Sequence, residues 1–179
     1  MVVENLIARM VRSMSAHYFA FEDGRPEPPC APAEPIYLYI HIPFCAELCP
    51  YCSFHRVPYQ EERAREYFRA LGREIEMYRD RGFSFAGVYV GGGTPTILLD
   101  ELLALLARIQ RDFSPGEVSV ETNPDRLDAR TLKLLADAGV KRVSVGIQTF
   151  SDPLLKSIGR YDKYGSSRVL KERLAKARG

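Results

Sequence analysis

Residues 36–54 read IYLYIHIPFCAELCPYCSF. The first seven are rich in β-branched and aromatic residues and predict a strand. Directly after them Cys45, Cys49 and Cys52 fall at the spacing C-x3-C-x2-C. A strand that runs into a loop of metal-ligand residues suits a parallel α/β sheet, where chemistry gathers at the ends of the strands. The fold then turns on whether that strand–loop–helix unit repeats.

It repeats four times. Residues 61–80 place Ala64, Tyr67, Phe68, Leu71, Ile75 and Tyr78 on one helical face, with Gly82 as a stop. GVYVGGG (87–93) predicts a second strand, and residues 100–112 a helix with Leu102, Leu103, Leu106 and Ile109 inward. EVSVETN (117–123) is a third strand, followed by a helix capped by Asp128 and ending at Gly139. KRVSVGIQ (141–148) is a fourth, and SDPLLKSIG opens a helix with Asp152 as cap and Pro153 at its first position. A last helix covers about 166–178. Strand and helix in alternation predict an α/β fold with a parallel sheet. The unusual residues fall where strands end: the cysteines, GGGTPT (91–96), ETNPD (121–125) and GIQTF (146–150). That placement implies one site.

Upstream, Leu6, Met10, Val11 and Met14 have the spacing of an amphipathic helix, and residues 22–35 contain five prolines and predict an irregular linker. Residues 1–35 are therefore expected to be an N-terminal extension, and 36–179 the core domain. The 179 residues are 46% hydrophobic and 27% charged, with net charge +2 and no basic block of the kind that binds nucleic acid. No signal-peptide pattern and no apolar run long enough for a membrane span occur, so a cytoplasmic protein is expected.

In that compartment three clustered cysteines point to metal or redox chemistry rather than to disulfides. The fourth, Cys30, sits in PEPPCAPAEP and is expected to be an exposed thiol apart from the site. A structural zinc site would need a fourth ligand from His41, His55, Cys30 or an acidic side chain, and only one C-x2-C knuckle is present. A [4Fe–4S] cube held by three thiolates keeps one iron open to a small molecule, so three cysteines argue for reactivity.

The cysteine loop resembles the signature of radical S-adenosylmethionine enzymes. Together YIHIPFC, GGGTPT, ETNPD and GIQTF resemble the oxygen-independent coproporphyrinogen III oxidase family, which includes haem chaperones and other haem-handling proteins. The resemblance runs from about Tyr37 to Leu174. It implies a partial (β/α) barrel, a [4Fe–4S] cluster on Cys45, Cys49 and Cys52, and S-adenosylmethionine chelated to the open iron. Reductive cleavage of the sulfonium C–S bond would then give a 5′-deoxyadenosyl radical, with the cofactor carrying the hard chemistry. It further implies a porphyrin or haem as substrate or ligand, haem itself as a bound group, and an electron donor such as flavodoxin or ferredoxin. By the same resemblance Tyr51 packs against the adenine, Tyr39 reaches the cofactor from the first strand, and Gly92, Gly93 and Thr94 contact the methionyl amino end. Glu121, Gln148 and Arg160 match further cofactor-binding positions. His41 and His55 are expected to be satisfied or supporting histidines rather than ligands.

Two departures shape the expectation. The family's oxidative decarboxylases carry another cysteine two residues after the last ligand, where this chain has Phe54. That points to the haem-chaperone and haem-handling branch, with a haem-binding chaperone as the alternative to an enzyme and a zinc-stabilised structural domain as the remaining one. The family domain also has six βα units and this sequence supplies four, so the chain is expected to match the domain's N-terminal two-thirds and to be marginal in stability and activity.

Overall fold

The computed structural model describes residues 30–178, together with residues 10 and 13. The expected N-terminal helix and most of the proline-rich segment lie outside the described residues. The chain divides into two units, Met1–Cys30 and Ala31–Gly179, and every element below belongs to the second. In chain order these are β1 (Ile36–Ile42), β2 (Phe44–Cys45), β3 (Val57–Pro58), α1 (Glu61–Asp80), β4 (Phe85–Gly92), α2 (Leu99–Phe113), β5 (Glu117–Thr122), α3 (Ala129–Asp137), β6 (Arg142–Val145), α4 (Asp152–Ser157), α5 (Tyr161–Tyr164) and α6 (Ser167–Arg178).

The four long strands form one parallel sheet in the order β1-β4-β5-β6. One face is apolar. Ile40, Ile42, Val88, Val90, Val118 and Val120 are buried there, in one cluster with Phe68 and Ile75 of α1 and Leu102, Leu106 and Ile109 of α2. Burying this stripe provides the main driving force for the fold, at about 25 cal/mol per Å² of apolar surface removed from water. On α2 the buried stripe is Leu102, Leu105, Leu106 and Ile109, with Leu103 only partly buried. The predicted stripe was thus centred slightly off the true one, because two leucine pairs in succession fit more than one helical phase.

The other face is polar. Tyr39 pairs in register with Tyr89, Tyr89 with Ser119, and Ser119 with Arg142. One step further along, Glu121 pairs with Ser144. Alternation along each strand sends these side chains away from the helices, and they line the side on which the functional loops gather.

Helix α3 starts as read from the sequence: Asp128 accepts a hydrogen bond from the Thr131 N–H at 2.9 Å and another from its hydroxyl at 2.6 Å. Two local readings need correction. Strand β6 is four residues long rather than eight, ending at Val145, and Gln148 has a left-handed φ of 73°, a conformation that a strand cannot contain. Asp152 lies inside α4, whose N-cap is Ser151. Its carboxylate instead accepts the backbone N–H of Ser167, at the start of α6, at 2.7 Å. It secures a later helix, not its own.

Candidate functional site

The ends of β1, β4, β5 and β6 surround one cavity of about 600 Å³. Its wall contains Cys45, Cys49, Cys52 and Tyr51 from the first loop, Gly92, Gly93 and Thr94 from the second, Glu121 from the third, and Gln148 and Arg160 beyond β6. Ten of the eleven residues singled out in the sequence are therefore brought together. The eleventh, Tyr39, is 56% exposed and stands beside the cavity, its ring stacked on that of Tyr89, which lines it.

The three thiols are arranged by backbone. Phe44 and Cys45 pair as a short parallel strand with Val57 and Pro58, so the loop between them returns to where it began. Within it the Cys52 N–H donates to the Cys49 carbonyl at 3.2 Å, closing a turn. The Arg56 guanidinium donates from one Nη to the carbonyls of Cys49 and Cys52, at 2.6 and 2.7 Å. All three cysteines are free and partly exposed. Burial pushes the Cys45 thiol up in pKa, opposed by the Thr94 hydroxyl, which donates toward its sulfur at 3.8 Å. Asn123 in turn donates to that hydroxyl at 2.9 Å, which fixes its orientation.

The glycines make room for the neighbouring cysteine loop. Gly92 has φ 119°, a conformation that L side chains rarely adopt. At Gly93 a Cβ would sit 2.7 Å from the Phe44 carbonyl oxygen and 2.9 Å from the Cys45 sulfur. The Gly92 N–H donates to Glu121 Oε2 at 3.1 Å, and the Tyr89 hydroxyl donates to Glu121 Oε1 at 2.5 Å. That hydrogen bond, with burial second, raises the Tyr89 phenol above its ordinary pKa. Both carboxylate oxygens are therefore aimed before any ligand arrives.

Arg160 is 3% exposed, against the simplest reading of a cation near a helix end as solvated. Gly159 turns the chain at φ 68° and Arg160 caps α5, which sends its side chain inward. The guanidinium donates to the Tyr51 hydroxyl at 3.0 Å and to the Gly146 carbonyl, and approaches the Cys49 sulfur at 4.0 Å. It also stacks on Tyr164 at 4.3 Å from the ring centroid. Burial raises the Tyr51 phenol's pKa, with Arg160 opposing.

His41 is satisfied, as expected. Its Nε2 must donate to the His55 carbonyl (2.9 Å), so in the neutral ring Nδ1 accepts from the Tyr39 hydroxyl (2.9 Å). Phe54 is 73% exposed at the cavity's edge. Cys30 is exposed. Sequence reading missed Arg56, Tyr89, Asn123, Ser144, Lys163 and Tyr164, all of them in the wall. Alternation could have found Tyr89 and Ser144, since Tyr89 lies between two core valines and Ser144 follows Val143, which packs against the same core.

The residues fit an iron–sulfur cube. Three free, partly exposed thiols line one shared cavity, a donor set suited to one thiolate per corner. A glycine cradle and a buried cation complete that cavity.

Residues 39–175 match the Radical SAM superfamily. The chain is 43% identical over 132 residues to the heme chaperone HemW of Bacillus subtilis, covering 70% of this chain and 35% of that protein. It is 36% identical over 137 residues to the oxygen-independent coproporphyrinogen III oxidase of Paracoccus denitrificans, covering 72% and 30%. Among solved structures, the coproporphyrinogen III oxidase of Escherichia coli, described as a radical SAM enzyme, superposes with a TM-score of 0.70 at 28% identity. That match covers 80% of this chain and 34% of the other. The chain thus spans about a third of the length of these relatives.

Proposed function

The chain belongs to the Radical SAM superfamily, and from that premise we propose that it carries the cluster and S-adenosylmethionine sites of a protein that acts on porphyrin or haem. Cys45, Cys49 and Cys52 would hold a [4Fe–4S] cluster by their thiolates, on four βα units of a partial barrel. With S-adenosylmethionine bound, the cluster supplies one-electron reductive cleavage of the sulfonium C–S bond.

The protein's part is to hold and orient. Gly92, Gly93 and Thr94 let the ligand's amino end approach the backbone closely. Glu121, aimed by Tyr89 and the Gly92 N–H, accepts hydrogen bonds from the cofactor. Tyr51 offers its ring to the adenine, with its hydroxyl fixed by Arg160. Arg160 places a buried positive charge in the same wall, where it meets an anionic group in low dielectric. Tyr39 and Gln148 complete the contacts from the two sides. An electron donor such as flavodoxin or ferredoxin would supply the reducing electron, in the cytoplasm.

The observation that carries this reading is the single cavity shared by the three thiols, the glycine cradle, Glu121 and Arg160. The test is anaerobic reconstitution followed by iron and sulfide analysis, then assay of 5′-deoxyadenosine with and without porphyrin. Four irons and four sulfides per chain are expected, with Cys49→Ala abolishing both cluster and product. Zinc in place of iron would overturn the reading.

Phe54 supports a second reading, a haem-binding chaperone with little turnover. It stands where the family's decarboxylases carry cysteine, and its ring is exposed beside the cavity. Haem binding without 5′-deoxyadenosine formation, in both this chain and a full-length relative, would favour it.

A further inference from the structure

We propose that Arg56 is the positioning residue of the cluster loop: it grips the C-x2-C turn through two ligand carbonyls, and its fixed charge raises the reduction potential of the bound cluster. This rests on the reading that the three cysteines hold a [4Fe–4S] cluster.

The grip is seen directly. One Nη of Arg56 reaches the carbonyl oxygens of both Cys49 and Cys52, at 2.6 and 2.7 Å. These two carbonyls bracket the turn that the Cys52 N–H closes onto Cys49 at 3.2 Å. Arg56 is itself anchored on both sides, since the His55 carbonyl before it accepts from His41 Nε2 at 2.9 Å and the Val57 N–H after it donates to the Pro43 carbonyl at 2.8 Å. The loop leaves from Cys45 and returns to it, and Arg56 ties its far end to the returning strand. The two N–H bonds of that one Nη form a rigid planar fork aimed at the two carbonyls; lysine carries the charge on a freely rotating ammonium without it.

The charge has a separate consequence. Arg56 donates to two neutral oxygens, and its Nε is buried without a hydrogen-bond partner. A neutral donor could cap the same carbonyls without desolvating a cation, so what arginine adds is positive charge in the wall beside the thiols. An electron added to the cluster is stabilised by a nearby cation, and net charge and hydrogen bonding are the levers that set such potentials.

The test uses the whole chain and the variants Arg56→Gln and Arg56→Lys, reconstituted anaerobically, with iron and sulfide counted. The midpoint is read by a dithionite titration followed by electron paramagnetic resonance. For loaded Arg56→Gln, the ratio of reduced to oxidised cluster at the wild-type midpoint is expected to fall about tenfold, which is 59 mV for one electron. Arg56→Lys is expected to stay near the wild-type midpoint while loading at least twofold more slowly, because it keeps the charge and loses the fork. A loaded Arg56→Gln with the wild-type midpoint overturns the charge role. Wild-type loading kinetics in Arg56→Lys overturn the grip, and this arm still decides if Arg56→Gln does not fold. If the wild-type chain takes up no cluster, the functional reading falls instead, which separates the two failures.

Discussion

Replacing Gly93 with alanine tests the claim that the glycine run is a cradle rather than a flexible turn. The backbone at Gly93 is not left-handed, so the cost is steric alone. The new Cβ would lie 2.7 Å from the Phe44 oxygen, 2.8 Å from the Pro43 oxygen and 2.9 Å from the Cys45 sulfur, all under the 3.0 Å that real Cβ contacts keep. Two of the three are backbone atoms, which no rotamer change can move. The end of β4 must therefore separate from residues 43–45. That separation strains two hydrogen bonds, Gly93 N–H to Ile42 O at 2.7 Å and Thr94 N–H to Phe44 O at 2.9 Å. Overpacking costs about 1–3 kcal/mol, and each hydrogen bond contributes about 1 kcal/mol net. The sum is about 3–5 kcal/mol. At a urea dependence of about 2 kcal/mol/M, the unfolding midpoint of the metal-free chain should fall by about 1.5–2.5 M. Gly82→Ala is the control, because nothing lies within 4 Å of its Cβ and only φ 76° opposes it, a cost of about 1–2 kcal/mol. A Gly93→Ala chain that unfolds at the wild-type urea concentration and loads iron normally would refute the reasoning.

Three further outcomes are expected. Asp128→Ala should lose about 1 kcal/mol through its missing N-cap; hydrogen bonds from Thr131 hold the wild-type carboxyl below its usual pKa, so the advantage is full above about pH 4 and shrinks as pH falls through the lowered folded-state value, as urea titrations across pH 2–7 would register. Leu102→Ala removes a side chain with no exposed surface from the centre of the core and should cost about 2–5 kcal/mol by the same measurement; a loss under 1 kcal/mol would mean that the core can collapse around the gap. Arg160→Met should leave iron content unchanged and lower S-adenosylmethionine affinity at least tenfold, about 1.4 kcal/mol, measured by equilibrium dialysis on the loaded chain; unchanged affinity would assign Arg160 to packing alone.

The architecture was legible because each βα unit announces itself locally. A strand with a helix-facing stripe needs Val, Ile and Leu at alternate positions, and the helix that covers it needs an apolar face of period 3.6. The single match to the Radical SAM superfamily spans all four units, as the order of motifs implied. What failed were assignments settled by neighbours distant in sequence. Strand β2 is two residues long and exists only because Val57 returns to pair with Phe44. Asp152 resembles a helix cap by its position before Pro153, yet its acceptor is used by Ser167, fifteen residues later.

The site divides along the same line, and the division explains which residues were visible. Cysteines and glycine runs are rare enough to be noticed without a structure. Tyr89 and Ser144 carry no such mark, but they share a rule with Tyr39 and Glu121: each follows a strand residue that packs into the helix-side core. The sheet therefore has an apolar side that folds the protein and a polar side that it can give to a ligand, and one alternation specifies both. Arg160 and Arg56 lie outside that rule. Their places depend on a left-handed turn at Gly159 and on the carbonyls of Cys49 and Cys52 in the loop after β1, features that become definite only once the chain has folded. Long, flexible cations near functional loops are thus the residues for which sequence reading most needs a structure, because the same side chain serves equally well in solvent until a buried acceptor is put beside it.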